Sequence, residues 1–201
     1  MDTTSHDPES PREKCYTIGY GNAPFDDFVA RLTAAGIDTV IDVRSSPYSR
    51  FNPGFKRENL ELSLAGHQIG YRYLGDKIGG RSTDPAVLNR DGTANYQKVR
   101  DTEKFRKGID AVLAIIAGGK TAALMCAETE PERCHRFALV TPALQARDVS
   151  VIHIRPGGSL QPNGELEREM VARLFDTKQA RLTGEPVDFV AEMYERVGRE
   201  L

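Results

Sequence analysis

The sequence predicts an α/β protein: a three-layer domain on a mainly parallel, Rossmann-like sheet, with extra helices at its C-terminal end. Three observations predict it. Thr39–Val43 and Thr121–Cys126 have the near-continuous apolar character of strands buried on both faces. Stretches such as Phe25–Ala35 and Asn95–Ala117 repeat their apolar residues at helical spacing. The two kinds of segment alternate along the chain, the order that yields a parallel sheet covered by helices.

Each element follows in turn. Met1–Lys14 holds two prolines and no aliphatic residue after Met1, so a disordered tail is expected over residues 1–14, followed by one α/β domain over 15–201. Tyr16–Gly19 is the first strand and runs into Gly19-Tyr20-Gly21-Asn22. Phe25, Phe28, Val29 and Leu32 line one face of the first helix, which Gly36 closes. Thr39–Val43 is the second strand. A Pro-rich loop, Arg44–Gly54, leads to a helix over Lys56–Ala65 and a strand over Gly70–Leu74. Gly75–Arg90 reads as a long loop and Asn95–Ala117 as one helix, striped by Phe105, Ile109, Val112 and Ile116 and ended by Gly118-Gly119. Thr121–Cys126 is a strand, Glu130–Ala146 a helix and Ser150–Ile154 a strand. Gly164–Leu174 and Pro186–Gly198 are the C-terminal helices, the second striped by Val187, Val190, Met193, Tyr194 and Val197.

Composition narrows the function. The 27 Lys and Arg against 29 Asp and Glu leave a net charge of −2, so only a local basic patch could attract nucleic acid. The longest apolar run, Ala111–Ala117, is far short of the roughly 20 residues that span a bilayer, and no membrane association is expected. A polar N-terminus without a signal-peptide core and an odd count of three cysteines point to the cytoplasm.

Ligands of parallel sheets sit beyond the carboxyl ends of the strands. That rule selects Gly19–Asn22, Arg44–Phe55 and Cys126–His135. In the last segment Cys126 leaves a buried strand and faces the start of a helix for which Thr129 and Glu132 have capping-box spacing. Such a position favours a thiolate. Glu128 stands ready as base, acid or acceptor, and His135 as a polar site group. Against this, Glu128, Glu130 and Glu132 would place three carboxylates beside the thiol, and Glu132 stands where a cysteine phosphatase needs an Arg. A buried strand-end role for Cys126 is the plain alternative. Cys134 falls on the helical stripe of Phe137, Thr141 and Leu144, which points to the core. Cys126, Cys134 and His135 fit no common zinc spacing, so no metal is expected. His67 and His153 are isolated and read as structural.

The second segment is basic and aromatic. Arg44, Arg50, Lys56 and Arg57 occur between positions 44 and 57 with no acidic residue, interleaved with Tyr48, Phe51 and Phe55. Cations and aromatic faces suit phosphates and bases. Arg44, Arg50, Lys56 and Arg81 are expected to hold phosphate, with Tyr48 and Phe51 stacking on a base. Asp42, Ser45, Tyr20 and Arg136 complete the expected ligand contacts. The plain alternative is a solvated loop whose aromatics cover the core.

These motifs resemble the family known as domain of unknown function 488. The matching residues are Thr17-Ile18-Gly19-Tyr20-Gly21, Asp42-Val43-Arg44-Ser45 with Pro47 and Ser49-Arg50-Phe51, Tyr73-Leu74-Gly75 with Gly79-Gly80-Arg81, and Cys126-Ala127-Glu128 followed by Cys134-His135-Arg136. The resemblance covers residues 16–154 and implies an α/β fold whose loops converge on one site. It implies no reaction and no cofactor. Val40–Arg44 also looks like the opening of rhodanese-type sulfur-transfer domains, but the acidic Cys126 loop is unlike theirs. The expected function is an enzyme or processing factor that binds a nucleotide or nucleic acid beside a Cys/Glu/His site. A non-catalytic nucleic-acid or phospho-ligand module and thiol-dependent sulfur transfer are the alternatives, and neither the cofactor nor the oligomeric state can be read.

Overall fold

Six strands form one sheet in the order β3-β2-β4-β1-β5-β6. They are β1 (Lys14–Gly19), β2 (Thr39–Asp42), β3 (Gly70–Tyr73), β4 (Ala122–Cys126), β5 (Ser150–Ile154) and β6 (Leu160–Pro162). The first five are mutually parallel, and β6 pairs antiparallel with β5. The computed structural model of the chain describes residues 13–49, 52–175 and 188–201. The tail expected over residues 1–14 lies mostly outside the described residues, and Lys14 already belongs to β1.

Side chains of β2 and β4 alternate between two apolar layers, which is why both strands read as continuous apolar runs. Val40, Ala123 and Met125 face α1 (Phe25–Ala34) and α2 (Arg57–Gly66), packing with Phe28, Leu32, Leu60 and Leu64. Ile41, Leu124 and Cys126 face the opposite layer, packing with Phe105, Ile109 and Val112 of α5 (Glu103–Ala117). The protein is therefore a three-layer α/β fold. Beyond the sheet, α7 (Asn163–Leu174) and α8 (Phe189–Arg199) bury Leu166, Met170, Met193, Tyr194 and Val197 against Phe137 and Ala138. Val190 is exposed, and Val187 lies outside the described residues.

The strand order differs from the common dinucleotide-binding order by exchange of β1 and β4. From β1 the chain moves outward through β2 to β3; from β4 it moves the other way, over β1, to β5. Neighbours β1 and β4 are thus the topological switch point, and β2 adjoins β4 on its other side. The three loops that the carboxyl-end rule selects leave three adjacent strands.

Two expected helices are broken. Asn95–Ala117 divides into α4 (Tyr96–Asp101) and α5, because Thr102 adopts extended backbone and its hydroxyl caps the N–H of Phe105. Glu130–Ala146 divides further. Pro131–Arg133 is a single 3-10 turn, Cys134 is extended (φ −144°, ψ 144°), Arg136–Val140 is a π turn, and only Thr141–Gln145 is α-helical (α6). Pro142 explains the π turn: it has no N–H to give to the Ala138 carbonyl. That carbonyl accepts from Arg100 instead, at 3.2 Å. The expected capping box does not form, since no side chain caps the Pro131 turn and Glu132 pairs with Arg155. Part of the expected loop Gly75–Arg90 is ordered as α3 (Gly75–Ile78) and a 3-10 turn at Pro85–Val87.

Candidate functional site

The end of β4 is where the chemistry gathers. Cys126 and Cys134 are both buried, and the carboxylate of Glu128 touches both sulfurs. Glu128 Oε2 accepts from Cys126 Sγ at 2.8 Å and from Cys134 Sγ at 3.3 Å. His135 Nδ1 lies 3.8 Å from Cys126 Sγ and 3.6 Å from Cys134 Sγ. The other ring nitrogen, Nε2, is 2.9 Å from the Val43 carbonyl. A carbonyl only accepts, so Nε2 carries the hydrogen, and Nδ1 turns its lone pair toward the sulfurs in the neutral ring.

The extended backbone of Cys134 produces this arrangement. It takes the residue off the helical stripe and swings its sulfur to the strand end. Cys134 is buried, as its spacing suggested, but among polar groups. Its role is what the stripe obscured.

Coupled ionisation follows from the crowding. Burial opposes ionisation of Cys134, but the neighbouring Cys126 thiol, with Arg136 and His135 nearby, holds its thiol well below the ordinary range. The closeness of Cys134, with burial and the charge of Glu128, holds Cys126 well above it. Burial lowers His135, yet Cys134 and the Val43 carbonyl outweigh that and raise it.

Only one of the three expected carboxylates stays with the thiols. Glu130 and Glu132 both pair with Arg155, at 2.7 and 2.9 Å. The loop is held by Arg136, which is buried and donates to the carbonyls of Glu128 (2.7 Å) and Thr129 (2.9 Å). Arg136 thus serves the loop rather than offering a free cation to a ligand. Two glycines permit the close packing. A Cβ on Gly19 would lie 1.9 Å from the Glu128 carbonyl oxygen, and one on Gly80 would lie 2.6 Å from His135 Cβ.

The basic segment is divided between core and surface. Arg44 is 4% exposed and makes a two-pronged pair with Asp42, Nε to Oδ1 at 2.9 Å and Nη2 to Oδ2 at 2.6 Å. Its Nη1 donates to the Phe55 carbonyl (2.8 Å) and Tyr20 Oη (3.2 Å). Burial works against this guanidinium's charge, but Asp42 and Tyr20 outweigh it and raise its pKa. Tyr20 stacks on Phe55 at 3.9 Å, and Tyr71 donates to Asp42 Oδ2 at 2.7 Å. Arg44, Asp42 and Tyr20 therefore form one satisfied network, although Arg44 borders the cleft. Tyr48 is 61% exposed, with Lys56 Nζ 5.0 Å from its ring centre. Arg50 and Phe51 lie outside the described residues.

A cleft of about 380 Å³ opens above the thiols. Cys126, Cys134, His135 and Glu128 floor it, and Ser45, Ser46, Tyr48, Tyr96, Arg81 and Arg133 border it. The Arg81 amide donates to Ser45 Oγ at 2.9 Å, tying the Gly79-Gly80-Arg81 turn to the end of β2. Arg81 and Arg133 are exposed, and among the described residues neither forms an ion pair. The sequence pattern assigns Cys134 to the core and singles out neither Tyr96 nor Arg133. The signal for Cys134 was its place beside His135, just after Pro131.

The family model described as Domain of unknown function DUF488 matches residues 24–141. That span is more than half of the 201-residue chain and holds the floor of the cleft and both free arginines. The chain belongs to the DUF488 family. No curated protein matches it. No solved structure matches it either. Of the other expected structural residues, His153 is buried between Thr17 Oγ1 (2.8 Å) and Asn163 Oδ1 (2.9 Å), away from the cleft. Among the described residues no helix is long and apolar enough to cross a membrane.

Proposed function

We propose that this DUF488 protein is an enzyme that binds a nucleotide, or the end of a single nucleic-acid strand, in the cleft over Cys126. One observation carries the reading: two thiols, a carboxylate and an imidazole meet at the floor of a cleft whose rim holds two exposed arginines that form no ion pair among the described residues. A volume of about 380 Å³ falls within the roughly 300–1,000 Å³ of small-molecule sites. Arg81 and Arg133 supply donors for phosphate oxygens, and Ser45 and Ser46 add hydroxyls. Tyr48 offers an exposed ring for a base. Cys126, Glu128 and His135 then face the reacting group, with Glu128 moving a proton at Oε2.

Two parts of the expected ligand shell change role. Arg44 and Arg136 shape the site, and Arg81 with Arg133 carry its charge. Sulfur transfer is the weaker reading, because the Cys126 thiol donates a hydrogen bond to a carboxylate in an acidic loop and is held above the ordinary thiol range.

Fluorescence anisotropy of a labelled mononucleotide and a labelled short single-stranded oligonucleotide, over a salt series, tests the reading. Salt-sensitive binding is expected, weakened about tenfold or more in Arg81→Ala/Arg133→Ala, since each charge-assisted hydrogen bond is worth about 1.5–3 kcal/mol. Binding that the double variant leaves unchanged, or none at low salt, refutes it.

A further inference from the structure

We propose that Cys126 Sγ, Cys134 Sγ and His135 Nδ1 form a transition-metal site, with zinc the expected ion, whose fourth position opens into the cleft beside Glu128. The sequence spacing concealed this site: the ligands are Cys126 and the adjacent pair Cys134-His135, which match no common structural-zinc pattern. The fold supplies what the spacing lacks.

The first support is geometric. All three donor atoms lie within 4.8 Å of one another. A tetrahedral zinc holds sulfur at about 2.3 Å and imidazole nitrogen at about 2.0–2.1 Å, which sets neighbouring donors roughly 3.5–3.8 Å apart. The two sulfur-to-nitrogen distances are 3.8 and 3.6 Å. Both sulfur-to-nitrogen edges already stand at the lengths of such a tetrahedron.

The second support is the orientation of the ring. Metal-bound histidines commonly give their other N–H to a carbonyl or carboxylate, which fixes the tautomer. His135 gives Nε2–H to the Val43 carbonyl at 2.9 Å, and Nδ1 faces both sulfurs. Gly80 packs closely against His135: a Cβ there would lie 2.6 Å from His135 Cβ and 2.7 Å from its Cγ.

The third concerns selectivity and access. Two sulfurs and one imidazole suit zinc over magnesium or calcium, which prefer oxygen. Glu128, which accepts from both sulfurs, is not one of the three residues whose donor atoms all lie within 4.8 Å of one another. It therefore stands beside the ion, leaving the fourth position to water. Three protein ligands with an open position, and a glutamate next to it, form the pattern of catalytic rather than structural zinc.

Binding is balanced without redox chemistry. Two metal–sulfur bonds replace two S–H bonds, both protons leave to solvent, and the ion stays divalent. Glu128 then no longer accepts a hydrogen bond from Cys126, and its carboxylate would be free to take a proton from a water on the ion. That last step rests on the reading of the cleft as a reaction site, whereas binding of the ion does not.

Cobalt(II) titration of the reduced, chelator-stripped full chain tests the proposal. A thiolate-to-cobalt charge-transfer band should rise and saturate at about one equivalent, and zinc should bleach it. Cys134→Ser should abolish the band, and Glu128→Gln should keep it. No band in the wild type, or one that needs large excess, overturns the metal site. Loss of the band in a folded Glu128→Gln overturns the open fourth position. The wild-type titration needs no variant, so a Cys134→Ser chain that fails to fold leaves the test standing. A cobalt band without nucleotide binding retains the site and removes the proposed substrate; nucleotide binding without a band does the reverse.

Discussion

The imidazole of His135 donates from Nε2 to the carbonyl oxygen of Val43, 2.9 Å away at the end of β2. This single bond joins the β4 loop to β2 and decides which nitrogen looks at the thiols. Above the titration of the ring, long-range proton–nitrogen correlation should therefore report Nε2 as the protonated nitrogen. An Nδ1–H tautomer would contradict the arrangement. His135→Asn is expected to lose the link to Val43 and loosen the Cys134 segment, seen as faster amide exchange there.

Gly19 is required by contact rather than by conformation. Its missing Cβ leaves space for the Glu128 carbonyl, which would lie 1.9 Å from such an atom, with the Thr129 carbonyl at 2.7 Å. Both are backbone atoms and cannot rotate aside. Gly19→Ala should cost about 1–3 kcal/mol by overpacking. It should also shift Glu128 away from the sulfurs. Gly66→Ala is the control, since a Cβ there meets nothing within 4 Å. Thermal unfolding should fall by several degrees in the first and stay within about a degree or two in the second.

Arg44 separates folding from binding. Removing it leaves Asp42, fully buried, without its two-pronged partner. Breaking such a pair from one side costs about 3–5 kcal/mol. Arg44→Ala should therefore lower the urea midpoint sharply, while Arg81→Ala, on an exposed residue, should leave it nearly unchanged. Equal midpoints for the two variants would show that the Asp42 network is not the framework of the site.

The sequence showed where the strands are because burial on both faces writes itself as continuous apolar runs, as in Thr39–Val43 and Thr121–Cys126. It showed the three converging loops because β1, β2 and β4 end at one edge. It did not show that Cys134 leaves its helix, since periodicity cannot register a single extended residue between a 3-10 turn and a π turn. Nor did it show that Arg44 is consumed by Asp42 while Arg81 and Arg133 form no ion pair among the described residues. Ion pairs two residues apart and across the fold look the same in a sequence as solvated charges. The short β6 was missed because Leu160–Pro162 has no periodicity of its own, and its pairing with β5 alone defines it.

His153 makes the fold sensitive to acid at a place remote from the cleft. Its Nε2 donates to Asn163 Oδ1 and its Nδ1 accepts from Thr17, so the neutral ring is satisfied on both sides. Burial, offset in part by Asn163, lowers its pKa to about 4. In the unfolded chain a histidine takes a proton near pH 6.5. The unfolded state therefore binds more protons between about pH 6.5 and 4, and stability must fall as pH drops through that window. Taken alone the effect approaches about 3 kcal/mol at pH 4 and is absent above pH 7. Urea titrations at a series of pH values should show this slope, and it should shrink in His153→Gln, whose amide does not titrate. A slope unchanged in the variant would assign the acid sensitivity to the carboxylates, among them Glu132 beside Arg155.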